Sequence, residues 1–154
     1  MKLETQVASL DLSKRLKELG VAARGYFKWH FDPHHTWELC RSIEGWGGPE
    51  YAAFTVAELG EMLPASVTTP HGYAYIESVK WMNGEGVELR YKNTYTEKRR
   101  VRFGATEDEP WDETKTEGFS QRCATEADAR AKMLIHLLEN KLTTVEEVNS
   151  RLAA

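Results

Sequence analysis

The sequence predicts an α+β fold, an antiparallel sheet of about five strands with helices packed on one face, and three observations carry that expectation. Apolar residues recur at helical spacing in residues 9–19 and again in 125–142. Strict alternation marks residues 26–31. Two strand-like runs, 73–82 and 87–95, flank an Asn83-Gly84 turn signal. The resulting order is helix, hairpin, helix, hairpin, strand, helix, helix. A chain of 154 residues fits one domain, 1–154, and at that length folding buries about 70% of the surface of the unfolded chain.

The first helix covers 9–19, where Leu12, Leu16 and Leu19 form one stripe, Gly20 is placed to end it, and Lys14, Arg15 and Lys17 face outward. Alternation then puts Phe27, Trp29 and Phe31 on one strand face and Lys28 and His30 on the other. Asp32-Pro33 marks a turn, 36–43 returns as the antiparallel partner, and the glycine-rich stretch 45–49 around Trp46 is an irregular loop. Residues 55–63 form a short helix with a capping box, Thr55-x-x-Glu58, and a stop at Pro64.

The second hairpin has two candidate registers. A two-residue loop at Asn83-Gly84 sets Val87, Leu89 and Tyr91 beside Lys80, Ser78 and Ile76, mixing charge into the apolar face. A three-residue loop, Asn83-Gly84-Glu85, pairs Trp81 with Val87 and Val79 with Leu89, and is preferred. It puts Glu77 and Asn93 on the face of Tyr73, Tyr75, Tyr91 and Tyr95, where polar groups need partners. Residues 98–103 form a further strand or extend the last one. The acidic stretch 107–113, with Pro110 and Trp111, reads as a mobile loop, and 119–123 as a short strand. Thr125-x-x-Asp128 starts the longest helix, striped by Ala127, Ala131, Leu134, Leu138 and Leu142, with small residues suited to close packing on the sheet. Thr144-x-x-Glu147 caps a last helix through Leu152, whose Val145, Val148 and Leu152 dock on the core or on a second chain.

Composition narrows the function classes. Charged residues make up 29% and apolar ones 41%, with no run near the roughly 18 apolar residues of a membrane span and no secretory apolar segment at the amino terminus. A cytoplasmic protein without a membrane partner is expected. Net charge is −4 and no helix carries a basic reading face, so direct nucleic-acid binding ranks last. Cys40 and Cys123 lack Cys-x-x-Cys spacing and are expected as free thiols. Gly-x-Ser-x-Gly, phosphate-loop and dinucleotide fingerprints are missing, so no catalytic residue and no cofactor is assigned.

His30, Asp32, His34, His35 and Cys40 surround one turn and are of the type that holds zinc or nickel. The adjacent rings of His34 and His35 cannot easily aim at one ion, so a solvated hairpin tip is favoured and no metal is assigned. His136 reads as a partly buried core residue and His71 as a loop residue. The candidate ligand site is basic and aromatic. Arg90 and Lys92 share a hairpin face, and Arg100 and Arg102, with Lys98, continue it or occupy an adjacent strand; guanidinium groups grip phosphate bidentately. Tyr91, Tyr95 and Trp111 are placed to stack on a base, and Glu77 and Asn93 to recognise polar ligand groups, unless Glu77 simply pairs with an arginine. On the charge run alone the favoured reading is a charged outer sheet face neutralised by the acidic stretch 107–113, since such a run specifies solubility before it specifies a partner.

Two segments, 54–64 (FTVAELGEMLP) and 125–142 (TEADARAKMLIHLLENKL), resemble parts of small proteins encoded by bacterial phages and prophages. The resemblance implies a role in the bacterial host cytoplasm against host defence or regulation, either by covering a host protein or by trapping a small signalling molecule, neither of which needs catalysis. The expected function is therefore a non-enzymatic, oligomeric counter-defence protein that sequesters a nucleotide-like immune signal between sheet and helices. The alternative is inhibition of a host protein through Trp46, Trp111 and the acidic stretch. A third reading has Glu77 or the histidine turn hydrolyse a nucleotide signal.

Overall fold

The computed structural model describes residues 2–32, 34, 36–41, 49–81, 86–99, 102–103, 106–107 and 111–153, with 98–99, 102–103, 106–107 and 111–112 described through their backbone only. Helix α1 (Leu10–Glu18) ends as its glycine dictates: Gly20 adopts φ +92, its N–H bonds the Lys17 carbonyl, and the Val21 N–H reaches back to Leu16 at 3.1 Å. This is the paired-bond glycine stop, and its apolar contact is present, since Leu16 and Val21 are both buried.

Strands β1 (Phe27–Phe31), β2 (Trp37–Arg41) and β3 (Glu50–Ala52) form a three-stranded antiparallel sheet with β1 in the centre. The aromatic face of this sheet turns toward α1. The Trp29 indole donates to the Ala8 carbonyl at 2.9 Å, while the Lys14 ammonium lies 5.2 Å from the Trp37 ring centre and that of Lys17 lies 4.9 Å from Tyr51. Lys14 and Lys17 thus do not simply face solvent; they cover rings. The solvated reading of His30 also fails. Lys28 and His30 are only 7% exposed, because a central strand has neighbours on both sides, and Glu50 on β3 places its carboxylate 2.7 Å from the Lys28 ammonium. Trp46 and His35 lie outside the described residues.

Helix α2 (Val56–Met62) has the expected capping box, with Thr55 and Glu58 each satisfying a backbone donor. Four strands follow, β4 (Ser66–Thr69), β5 (Gly72–Lys80), β6 (Val87–Arg99) and β9 (Trp111–Cys123), hydrogen-bonded in the order β4-β5-β6-β9. Two-residue strands β7 (Arg102–Phe103) and β8 (Thr106–Glu107) pair beyond them. The α+β class and antiparallel pairing hold, but the single five-stranded sheet resolves into sheets of four and three strands with this short ribbon. Residues 107–113 are not one loop, since Glu107 and Trp111 to Glu113 belong to strands, and the short strand at 119–123 is the end of a thirteen-residue one.

The hairpin register is corrected too. Lys80 pairs with Val87, Ser78 with Leu89 and Ile76 with Tyr91, the register rejected on charge grounds. Helix α3 (Glu126–Glu139) packs over β6 and β9, so β5 sits at the margin of the helical layer, and Ser78 and Lys80 stay exposed although they share a face with buried Leu89 and Val87. Mixing charge into that face carries no burial penalty there. The loop residues Asn83, Gly84 and Glu85 lie outside the described residues.

Helix α3 is buried on more than one side. Ala127, Ala129, Ala131, Met133, Leu134 and Leu137 are fully buried, because the helix lies between the four-stranded sheet and helices α1 and α2. The single stripe predicted for it is therefore too narrow, and Leu142, past its end, is 38% exposed. Asp128 explains why aspartate stands in the cap: the Thr125 hydroxyl takes the Asp128 N–H, and the Asp128 carboxylate accepts from the Ser9 N–H at 2.8 Å, joining the start of α3 to the start of α1. The last helix, α4 (Val145–Leu152), docks on the core through Val148 and packs against α2.

Candidate functional site

The register decides which side chains meet on the sheet face turned away from α3. On β5 these are Tyr73, Tyr75 and Glu77; on β6 they are Arg90 and Lys92, with Tyr75 opposite Lys92 and Glu77 opposite Arg90. Tyr73 and Tyr75 are each 60% exposed. The Glu77 carboxylate accepts from the Arg90 Nε at 2.8 Å, a pairing that at this exposure adds about 0–1 kcal/mol. The β9 residues beside Arg90 and Lys92 on this face are small, Thr116, Gly118 and Ser120, and there they form an open depression of about 270 Å³. Gly118 is required there: it adopts φ +153, and a Cβ would sit 2.0 Å from the Tyr91 carbonyl oxygen. At the far end of the same face the Arg122 guanidinium lies 3.6 Å from the centre of the Trp81 ring.

A second constellation lies on the opposite face, where the pairing of β5 with β6 ends at Tyr75 and Lys92, and β6 and β9 continue together as an arm. Asn93 and Glu117 face each other across its root. The Glu117 carboxylate is held by the Thr69 hydroxyl, the Asn93 amide at 3.1 Å, the His71 N–H at 3.3 Å and the His71 ring Nδ1 at 2.9 Å. These donors, the Thr69 hydroxyl first and the His71 ring next, hold the carboxyl down to about 2. The His71 ring stacks on Tyr95, with centres 4.0 Å apart and planes within 5°.

The structure therefore divides the predicted site. Arg90, Lys92 and Glu77 share the outer face, with Glu77 in the arginine pair offered as its alternative. Asn93 and Tyr95 lie on the inner face of the arm. Tyr91 is no stacking platform: it is 1% exposed, its hydroxyl donates to the Pro64 carbonyl, and burial pushes its phenol well above the usual range. The three-residue loop puts Glu77 on the same face as Asn93; the one-residue slip reverses every β5 side chain and separates them. Arg102 belongs to β7, opposite Glu107, and Trp111 opens β9 opposite Arg99. Arg100 lies outside the described residues. Residues 69, 71 and 117 carry no motif that marks them as a site, since Thr69 and His71 flank a turn and Glu117 is 46 residues from His71 in the chain. The available signal was the Thr-Pro-His-Gly turn at 69–72, which a correct register brings against β9.

Around the histidine turn, the Asp32 carboxylate accepts the Thr36 N–H at 2.7 Å, and that backbone bond lowers its pKa. Among the described residues no three His, Cys, Asp or Glu side chains converge on a common point. No described helix is long and apolar enough to cross a membrane. The fold and site together define an α+β protein with one helix-covered and one open sheet face. No family model, curated protein or solved structure matches the chain.

Proposed function

We propose that this is a binding protein whose working surface is the open face of the four-stranded sheet, and that its ligand is phosphate-bearing and nucleotide-like. The observation that carries the reading is the adjacency of Arg90 and Lys92 above the Gly118 depression, with Tyr75 directly across from Lys92. Arg90 and Lys92 supply charge-assisted donors for a phosphate, Thr116 and Ser120 line the same depression with hydroxyls, and the exposed rings of Tyr73 and Tyr75 supply stacking area for a base. This moves the ligand from between sheet and helices to the outer face. Such a surface works by binding alone, which suits sequestration of an immune signal in a phage-infected cell, the role implied by the resemblance of residues 54–64 and 125–142.

The test is incubation of the pure protein with a panel of cyclic dinucleotides, cyclic ADP-ribose relatives and mononucleotides. A thermal shift with one of them, lost in Lys92→Ala and Tyr75→Ala and followed by release of intact ligand on heating, supports the reading; no shift with any nucleotide overturns it. A second reading, inhibition of a host protein, is favoured by the openness of the face and its content of Tyr, Trp and Arg, the residue types that dominate binding hot spots. It predicts that host lysate yields one stoichiometric partner that Tyr75→Ala and Trp81→Ala no longer retain.

A further inference from the structure

We propose that His71 and Glu117 form a second site, on the sheet face opposite the nucleotide surface, in which a carboxylate-oriented imidazole acts as general base toward water in the hydrolysis of a carboxylic ester. Three geometric facts build it. Glu117 is fixed from several directions, by Thr69, Asn93 and the His71 backbone, so its second oxygen is aimed at the ring Nδ1 at 2.9 Å. Tyr95, stacked at 4.0 Å, fixes the plane of the ring. The His71 side chain is 49% exposed, so the ring is accessible to small molecules.

An ionised carboxylate at Nδ1 favours the neutral tautomer with its proton on Nδ1, leaving Nε2 with a free lone pair. Among the described residues, Glu117 from β9 and Tyr95 from β6 contact the ring. His30 and His136 lack this combination: His30 is buried with its Nδ1 3.7 Å from Glu50, and the Nδ1 of His136 contacts the Asn140 amide. With one imidazole as the base, the electrophile must bring its own reactivity, which points to an ester with a stabilised leaving group. In the step, Nε2 takes a proton from water as the water oxygen bonds to the ester carbonyl carbon. The tetrahedral intermediate then expels the leaving oxygen, breaking the ester C–O bond, and the imidazolium returns the proton, giving acid and alcohol.

This site stands apart from the nucleotide reading, and the two fail separately because neither Lys92 nor Tyr75 belongs to it. The experiment is hydrolysis of p-nitrophenyl acetate by the full chain across pH. The expected result is a rate above that of free imidazole at equal concentration and pH. His71→Gln abolishes it, and Glu117→Gln, which can present an amide donor to Nδ1 and so reverse the tautomer, lowers it by about tenfold or more, within the reach of general-base effects. His34→Gln leaves it unchanged. A wild-type rate no greater than free imidazole, or one indifferent to His71→Gln, overturns the proposal. If the variants fail to fold, ring ¹⁵N chemical shifts of the wild-type protein decide: a neutral His71 protonated on Nδ1 supports the site, and one protonated on Nε2 overturns it.

Discussion

Lys141 follows α3 at φ +57, a left-handed conformation that suits glycine better than lysine. Its N–H bonds the Leu138 carbonyl and the next N–H bonds Leu137, so it occupies the position that Gly20 fills after α1. Lys141→Gly should therefore raise stability by up to about 1 kcal/mol, measured by urea denaturation, since it removes a left-handed strain of roughly 1–2 kcal/mol against a smaller entropic loss. Gly118→Ala should do the reverse and by more than about 1 kcal/mol, because it adds both strain and a backbone collision. Tyr91→Phe leaves the Pro64 carbonyl without its hydroxyl donor and should destabilise by about 1–3 kcal/mol. An unchanged denaturation midpoint for Tyr91→Phe would show that the Pro64 carbonyl does not depend on that hydroxyl.

At the scale of elements, the joints between them are polar. Asp128 ties α3 to the residue that precedes α1, and Asp128→Ala should cost about 1.5 kcal/mol, more than loss of an exposed first-turn carboxylate. The root of the β6–β9 arm depends on Glu117 in a pH-dependent way. Its carboxyl lies near 2 in the folded chain against an ordinary 4.5. The native state therefore binds fewer protons there than the unfolded state, and the stabilisation is complete above pH 4.5 and is lost as pH falls toward 2. The difference in thermal midpoint between wild type and Glu117→Gln should be largest near neutral pH and shrink over that window. A difference that stays constant down to pH 2 would show that the carboxylate charge is not what holds the joint.

For the whole molecule, the two faces of the four-stranded sheet divide the labour. One carries Leu89 and Tyr91 into a core shared with α1, α2, α3 and α4, and the other carries Tyr73, Tyr75, Arg90 and Lys92 into solvent. Substitutions of the exposed side chains on the open face, Gly118 apart, should accordingly leave stability within about 0.5 kcal/mol. Lys92→Glu is the sharpest case: its melting temperature should match wild type while phosphate-dependent binding is lost, and a large fall in melting temperature would mark the face as structural.

What the chain determines by itself is local. The Thr55 and Thr144 capping boxes and the Gly20 stop each depend on residues within a turn or so, so their hydrogen bonds can be read from spacing, while the alternation of 27–31 marks the strand and its two faces. The tertiary structure alone decides the rest. Whether Lys80 opposite Val87 is tolerable depends on where α3 ends its cover; whether α3 buries one stripe or several depends on α1 and α2 behind it; and whether the turn residue His71 meets a carboxylate depends on Glu117 arriving from a distant strand. Burial and electrostatic partnership are set by what packs on a surface, and strand spacing in the sequence carries no record of that.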